Sequence, residues 1–126
     1  MTPAPRSVIL IAGCSAGFGH TTLKDKGADV LQFDVTASPS AISAFAAEAW
    51  KIQYENYLLR SGSGQIEFLL KNTGYLQGGI IEENTPKKVV VQLDTNVFGL
   101  LRATNAFLPY FRMWRAGTIV NISSCT

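Results

Sequence analysis

Gly13, Gly17 and Gly19 form the pattern Gly13-x3-Gly17-x-Gly19, with Ser15 and Phe18 inside it. The pattern sits directly behind the apolar run Val8-Ile9-Leu10-Ile11 and ahead of a polar, helix-compatible stretch. Strand, glycine turn and helix start, in that order, make a phosphate cradle. The first turn of the helix offers unpaired N–H groups and a partial positive charge. The glycines let the chain turn sharply and let a phosphate approach the backbone. Other positions could join this chemistry. Asp34 follows a second apolar run, at a strand end where open α/β sheets place their ligand crevice. Asn72-Thr73-Gly74 again lies just beyond an apolar run, and Asn96 and Ser124 make a further pair. Each has a plainer reading: a tight packing turn, a solvated turn aspartate, an ordinary turn, and an asparagine amide bonded to nearby backbone.

The elements that must position these residues follow from periodicity and turn chemistry. Residues 7–11 suit a strand buried on both faces. Residues 18–26 suit a short helix closed by Gly27, and residues 29–33 a second strand. Ser38 is the expected N-cap of a helix with Pro39 in its first turn, and Ile42, Phe45, Ala46, Ala49 and Trp50 recur at helical spacing. Residues 53–64 are atypical: Tyr54, Tyr57, Leu58 and Leu59 could continue the helix, whereas Ser61-Gly62-Ser63-Gly64 has linker chemistry. A third strand is expected at 66–70. Asn84-Thr85-Pro86 opens a helical pattern over 87–114, which Pro109 is expected to kink or end. Gly117 leads to a last strand at 118–122. Strands alternating with helices imply an α/β fold of the Rossmann-like, doubly wound parallel type, incomplete at about four strands. The whole chain reads as one partial domain.

Composition narrows the function classes. Of 126 residues, 47% are hydrophobic and 16% charged, which suits a globular domain. The net charge of +2 is scattered, with Lys87-Lys88 the sole adjacent basic pair, so no nucleic-acid surface is expected. No apolar run approaches the roughly 20 residues needed to span a bilayer, and the Val8–Ile11 run is too short for a signal peptide. Cys14 and Cys125 lack metal-ligand spacing, so no metal site or disulfide framework is expected, and the default location is cytoplasmic. His20, the single histidine, has no visible catalytic partner.

Taken together, the motifs resemble those of the short-chain dehydrogenase/reductase family. Ala12-Gly13-x3-Gly17-Phe18-Gly19 is similar to the family's Thr-Gly-x3-Gly-x-Gly cofactor loop, with Ala in place of Thr. Asp34-Val35 resembles its adenine-contacting Asp-Val pair, and Lys71-Asn72-Thr73-Gly74 its Asn-Asn-Ala-Gly loop. Asp94-Thr95-Asn96-Val97-Phe98-Gly99 resembles the helix carrying the active-site Asn. Gly117-Thr118-Ile119-Val120-Asn121-Ile122-Ser123-Ser124 resembles the strand that delivers the catalytic Ser. The resemblance implies an oxidoreductase that moves a hydride between NAD(P) and a carbonyl or alcohol. NADP is slightly favoured, and weak binding is expected. It implies cofactor contacts from Gly13, Ser15, Gly17, Phe18, Gly19, Asp34, Val35, Asn72 and Gly74. It also implies a relay water ordered by Asn96 and a substrate hydrogen bond from Ser124.

The departures matter as much. The family places a Tyr-x3-Lys pair shortly after the catalytic Ser, as acid/base and as the cation that tunes it. This chain ends two residues after Ser124. Tyr54, Tyr57, Tyr75 and Tyr110 are followed four residues later by Leu58, Ser61, Gly79 and Trp114, so no such pair occurs. The stretch from Gly19 to Asp34 is short for the family. Asp34 either ends strand two, about 20 residues beyond the first glycine as a ribose contact would, or belongs to strand three with strand two missing. The second is favoured. A shortened front, an added middle and an early stop suggest a rearranged reading frame. The expectation is therefore an oxidoreductase relative with little turnover. The alternatives are a non-catalytic nucleotide-binding module and an interaction fragment that self-associates through 87–114 or the 118–122 strand edge.

Overall fold

The computed structural model describes residues 8–13, 25, 33–60 and 66–123. Three short strands form one parallel sheet in the order β1-β2-β3: β1 is Ile9–Ala12, β2 Phe68–Lys71 and β3 Thr118–Asn121. The register sets Leu10 beside Leu69 and Leu69 beside Ile119. Because side chains alternate along a strand, Leu10, Leu69 and Ile119 share one face. Ala12, Lys71 and Asn121, two residues on, form the next row on that face at the C-terminal edge.

That face is covered by two helices, α1 (Pro39–Arg60) and α3 (Gly99–Trp114). Helix α1 starts as its sequence dictates: the Ser38 hydroxyl accepts the Ala41 N–H at 3.2 Å and Pro39 occupies the first turn. The helix continues through the atypical segment as far as Arg60. Ala46, Ala49 and Trp50 of α1 meet Phe107 and Phe111 of α3 over Leu69 and Ile66. Trp50 stacks on Tyr110 at 4.9 Å and meets Phe111 edge-on at 6.3 Å, arrangements that suit the ring quadrupoles.

The 87–114 pattern resolves into three parts. Helix α2 spans Pro86–Leu93, a π-helical segment spans Asp94–Phe98, and α3 follows directly. Thr85 is the N-cap of α2 but makes no side-chain cap bond, and Asn84 instead donates to the Gly79 and Ile80 carbonyls. Of the two outcomes expected at Pro109, a kink or an end, the end does not occur, because α3 runs on to Trp114. Phe107 and Phe111 flank the proline and are 0% and 7% exposed, so their burial offsets the missing backbone hydrogen bond. The expected strand 29–33 lies outside the described residues except for Phe33, and the expected helix 18–26 except for Asp25. Residues 61–65, which include the Ser/Gly linker, also lie outside them.

Candidate active site

The site gathers at the C-terminal edge of the sheet. Gly13 follows β1 with φ +91, a left-handed conformation that side chains oppose. A Cβ there would lie 2.6 Å from the Asn72 carbonyl carbon and the Thr73 nitrogen. The first turn of the glycine loop is thus pressed against the 72–74 loop. The Asn72 N–H continues the ladder by donating to the Ala12 carbonyl at 3.0 Å. Gly74 differs: a Cβ there would meet nothing within 4 Å. A side chain is excluded at Gly13 by the protein itself, while at Gly74 the space is open. Ser15, Gly17, Phe18, Gly19 and Ser124 lie outside the described residues, as do Cys14, His20 and Cys125.

Asn96 sits within the π-helical segment, and its amide clamps the backbone of Tyr75. Its Oδ1 accepts the Tyr75 N–H and its Nδ2 donates to the Tyr75 carbonyl, both at 2.7 Å. This is the plainer reading of a helical asparagine, and it fixes the exit of the 72–74 loop. It leaves one lone pair on Oδ1 and one hydrogen on Nδ2, enough to hold a water. Gln92 adds a second tie by accepting the Gln77 N–H at 2.9 Å.

Asp34 lies in a turn closed by Ala37 N–H on the Asp34 carbonyl. Its carboxylate accepts the Thr36 hydroxyl at 2.7 Å and the Thr36 N–H at 2.8 Å. Those two bonds, with help from the Arg102 charge, hold its pKa below the ordinary carboxylate value against a small desolvation penalty. Val35 is buried against Gly99, where a Cβ would come within 2.7 Å of its methyl carbon. The sequence did not single out the residue that holds this turn. Arg102 donates to the Val35 carbonyl at 3.0 Å, to the Asp94 carboxylate at 2.9 Å and to the Asp94 carbonyl at 3.2 Å. One guanidinium therefore ties the Asp34-Val35 turn to the π-helical segment, and Asn96 ties that segment to the 72–75 loop. The signal was an arginine within the Gly99–Trp114 helix, eight residues after an aspartate.

Lys71, the last residue of β2, is the second residue missed. It is 4% exposed and donates to the Leu100 carbonyl at 3.3 Å and to the Thr104 hydroxyl. Thr104 in turn donates to the Leu100 carbonyl at 2.8 Å. Burial pushes the Lys71 pKa below its ordinary 10.5. A base with a lowered folded pKa binds fewer protons folded than unfolded, so stability rises with pH across the interval between the two values. Its sign is a charge-burial penalty that is full below the folded pKa and relieved as pH rises through it. Lys71→Met is expected to remove that alkaline rise and to be neutral or stabilising near neutral pH. Urea unfolding of both proteins across the alkaline range measures this; an unchanged pH slope in the variant would refute it.

Lys71, Asn72, Gly74 and Asn96 border a cleft of about 800 Å³ that runs from the 71–74 loop past Leu100 to Ser123, whereas Gly13, Asp34 and Val35 do not line it. The chemistry available is that of amides, hydroxyls and one ammonium beside apolar walls. No cluster of metal-binding side chains occurs among the described residues, and no helix there is long and apolar enough to cross a membrane.

Residues 7–126 match the short chain dehydrogenase family, and the chain belongs to that family. It is 32% identical over 127 residues to a 3-ketodihydrosphingosine reductase of Bacteroides thetaiotaomicron, covering 93% of this chain and 46% of that protein. A short-chain dehydrogenase from Streptomyces avermitilis superposes with a TM-score of 0.68 at 27% identity, covering 98% of this chain and 51% of its own. ElxO, solved with NADP bound, superposes with a TM-score of 0.71 at 20% identity, over 94% of this chain and 56% of its own. The chain thus spans about half the length of the relatives it matches. The fold is the Rossmann-like α/β fold expected from the sequence, with three parallel strands among the described residues.

Proposed function

We propose that this chain carries the dinucleotide-binding half of an NAD(P)-dependent oxidoreductase that acts on a carbonyl or alcohol. The observation that carries the reading is the apposition at Gly13. Its backbone meets the 72–74 loop with no room for a side chain, at the sheet edge where a phosphate-binding glycine turn belongs. In this reading Gly13, Ser15, Gly17, Phe18 and Gly19 would hold the pyrophosphate through the backbone amides of the glycine loop. Asp34 and Val35 contact the adenine, and Asn72 and Gly74 lie near the ribose. When bound, the nicotinamide supplies the hydride. Ser124 hydrogen-bonds the substrate oxygen, and the remaining valences of the Asn96 amide order a relay water. Family membership supports the dinucleotide, while the preference for NADP rests on the sequence resemblance.

The chain has no Tyr-x3-Lys pair. Absence of a positioned acid/base typically costs about 10²–10⁴-fold in rate, so little turnover is expected from this chain by itself. Calorimetric titration with ADP, NAD and NADP tests the binding reading, and no heat at millimolar ligand overturns it. Gly74→Val sharpens the test. Its side chain would meet open space, so stability should change by less than about 0.5 kcal/mol. Dinucleotide affinity should nonetheless fall at least about tenfold, a loss of roughly 1.4 kcal/mol in binding.

A second reading, self-association, is favoured by the apolar surface of the 87–114 region. Val90, Leu93 and Phe98 there are 61%, 45% and 50% exposed. A surface of that kind marks contact with another chain, here a second copy. Light scattering at high concentration tests it, and a monodisperse monomer would count against it.

A further inference from the structure

We propose that Lys71 and Thr73 form a subsite in the cleft for one carboxylate group of a small, otherwise apolar ligand. The proposal rests on reading the cleft as the substrate side of the oxidoreductase site, and it adds a substrate class. Three observations carry it. The first is an uncompensated cation. Lys71 is 4% exposed, yet its acceptors are the Leu100 carbonyl and the Thr104 hydroxyl, both neutral. An ammonium has three donors, so one N–H has no acceptor among the described residues. Lys71 is also the sole ionisable side chain among the described residues lining the cleft, so no carboxylate among them neutralises it there. A buried charge in that state is costly until an opposite charge arrives.

The second observation is a buried hydroxyl without a partner. Thr73 Oγ1 is shielded from solvent and makes no hydrogen bond, and Thr73 lines the same cleft. An orphaned buried hydroxyl is a vacancy for one more polar atom. The third observation concerns where these groups arise. Lys71 and Thr73 occupy the two positions at which Lys71-Asn72-Thr73-Gly74 differs from the Asn-Asn-Ala-Gly pattern it resembles. One departure puts a cation in place of a neutral amide and the other puts a hydroxyl in place of a methyl, both on the lining of one cleft.

The class of anion follows from the count of donors. One ammonium and one hydroxyl match the two oxygens of a monoanionic carboxylate. A phosphate dianion would call for more positive charge than the cleft lining offers. Val97, Leu100, Leu101 and Ile122 supply apolar wall for the rest of the ligand. The lowered Lys71 pKa agrees with this assignment, because an arriving carboxylate would reverse the desolvation effect.

The probe is butyrate, with 1-butanol as its uncharged match. Lysine-labelled NMR of the full chain follows the Lys71 side chain through a pH titration without dinucleotide. Butyrate is expected to raise the Lys71 titration midpoint by about one pH unit, while 1-butanol leaves it unchanged. Lys71→Met is expected to weaken butyrate at least about tenfold, as loss of a charge-assisted bond does. Thr73→Val is expected to weaken it about fivefold while the Lys71 signals stay at their native positions, so the result does not depend on Lys71→Met alone. No movement of the Lys71 midpoint at about 50 mM butyrate, well above a millimolar Kd, overturns the proposal. So does an equal response to 1-butanol, or full affinity in Thr73→Val. The dinucleotide titration is independent. Dinucleotide binding without a butyrate response removes the subsite alone, whereas absence of dinucleotide binding removes the oxidoreductase reading on which it rests.

Discussion

Gly13→Val is expected to cost about 2–5 kcal/mol of stability, combining a left-handed β-branched residue with overpacking. The cause is specific. The position has φ +91, and the new Cβ would fall 2.6 Å from backbone atoms of Asn72 and Thr73. Backbone cannot rotate away as the tip of a side chain can, so the 72–74 loop must retreat from β1. The ladder bond from Asn72 N–H to the Ala12 carbonyl is the first to lengthen. Such a loss is a large part of the roughly 5–15 kcal/mol that holds a typical domain together. Urea unfolding should show a lower midpoint at an unchanged m-value, and dinucleotide titration a parallel loss of affinity. A variant with wild-type midpoint and affinity would show that the two loops are not held together as described.

Phe107→Ala is expected to destabilise the chain by about 3–5 kcal/mol, the usual range for a buried phenylalanine. Phe107 is 0% exposed in the cluster where α1 and α3 meet the sheet. Trp50 and Phe111 are fixed by their mutual ring contact, so the space left behind would collapse poorly. Phe98→Ala is the control. Phe98 is 50% exposed, and its loss should cost under about 1 kcal/mol. Thermal and urea unfolding of the pair measure the difference. Equal effects would mean that the core does not lie between α1 and α3.

The order of the elements was legible because each carried a local signal. The runs at 8–11, 66–70 and 118–122 lie on the three observed strands, and Ser38-Pro39 marks a real helix start. Gly13 was legible for a similar reason, since few residues other than glycine suit a sharp turn between strand and helix. Whether the helix would survive Pro109 was not legible, because local propensity carries no trace of the burial of Phe107 and Phe111 on either side. Arg102 and Lys71 were overlooked for a different reason. Each sits in an apolar pattern where a cation reads as a surface residue, and their partners are mostly backbone carbonyls from distant parts of the chain. Backbone acceptors leave no mark on the sequence. Asn96 was singled out as an asparagine inside a helix, but the backbone of Tyr75 that it clamps could not be read from residue types.

The π-helical segment Asp94–Phe98 bears on how this stretch could change by insertion or deletion. A π turn accommodates one residue more than an α turn. Loss of a single residue between 94 and 98 would therefore leave an unbroken α-helix from α2 into α3. The extra residue would go together with the wide turn, so α2 and α3 would keep both continuity and phase. The change would fall inside the segment, on the two side chains that reach out of it, Asp94 to Arg102 and Asn96 to the Tyr75 backbone. The Arg102 anchor and the Tyr75 clamp would bear the loss together, in a chain whose helix content had hardly altered.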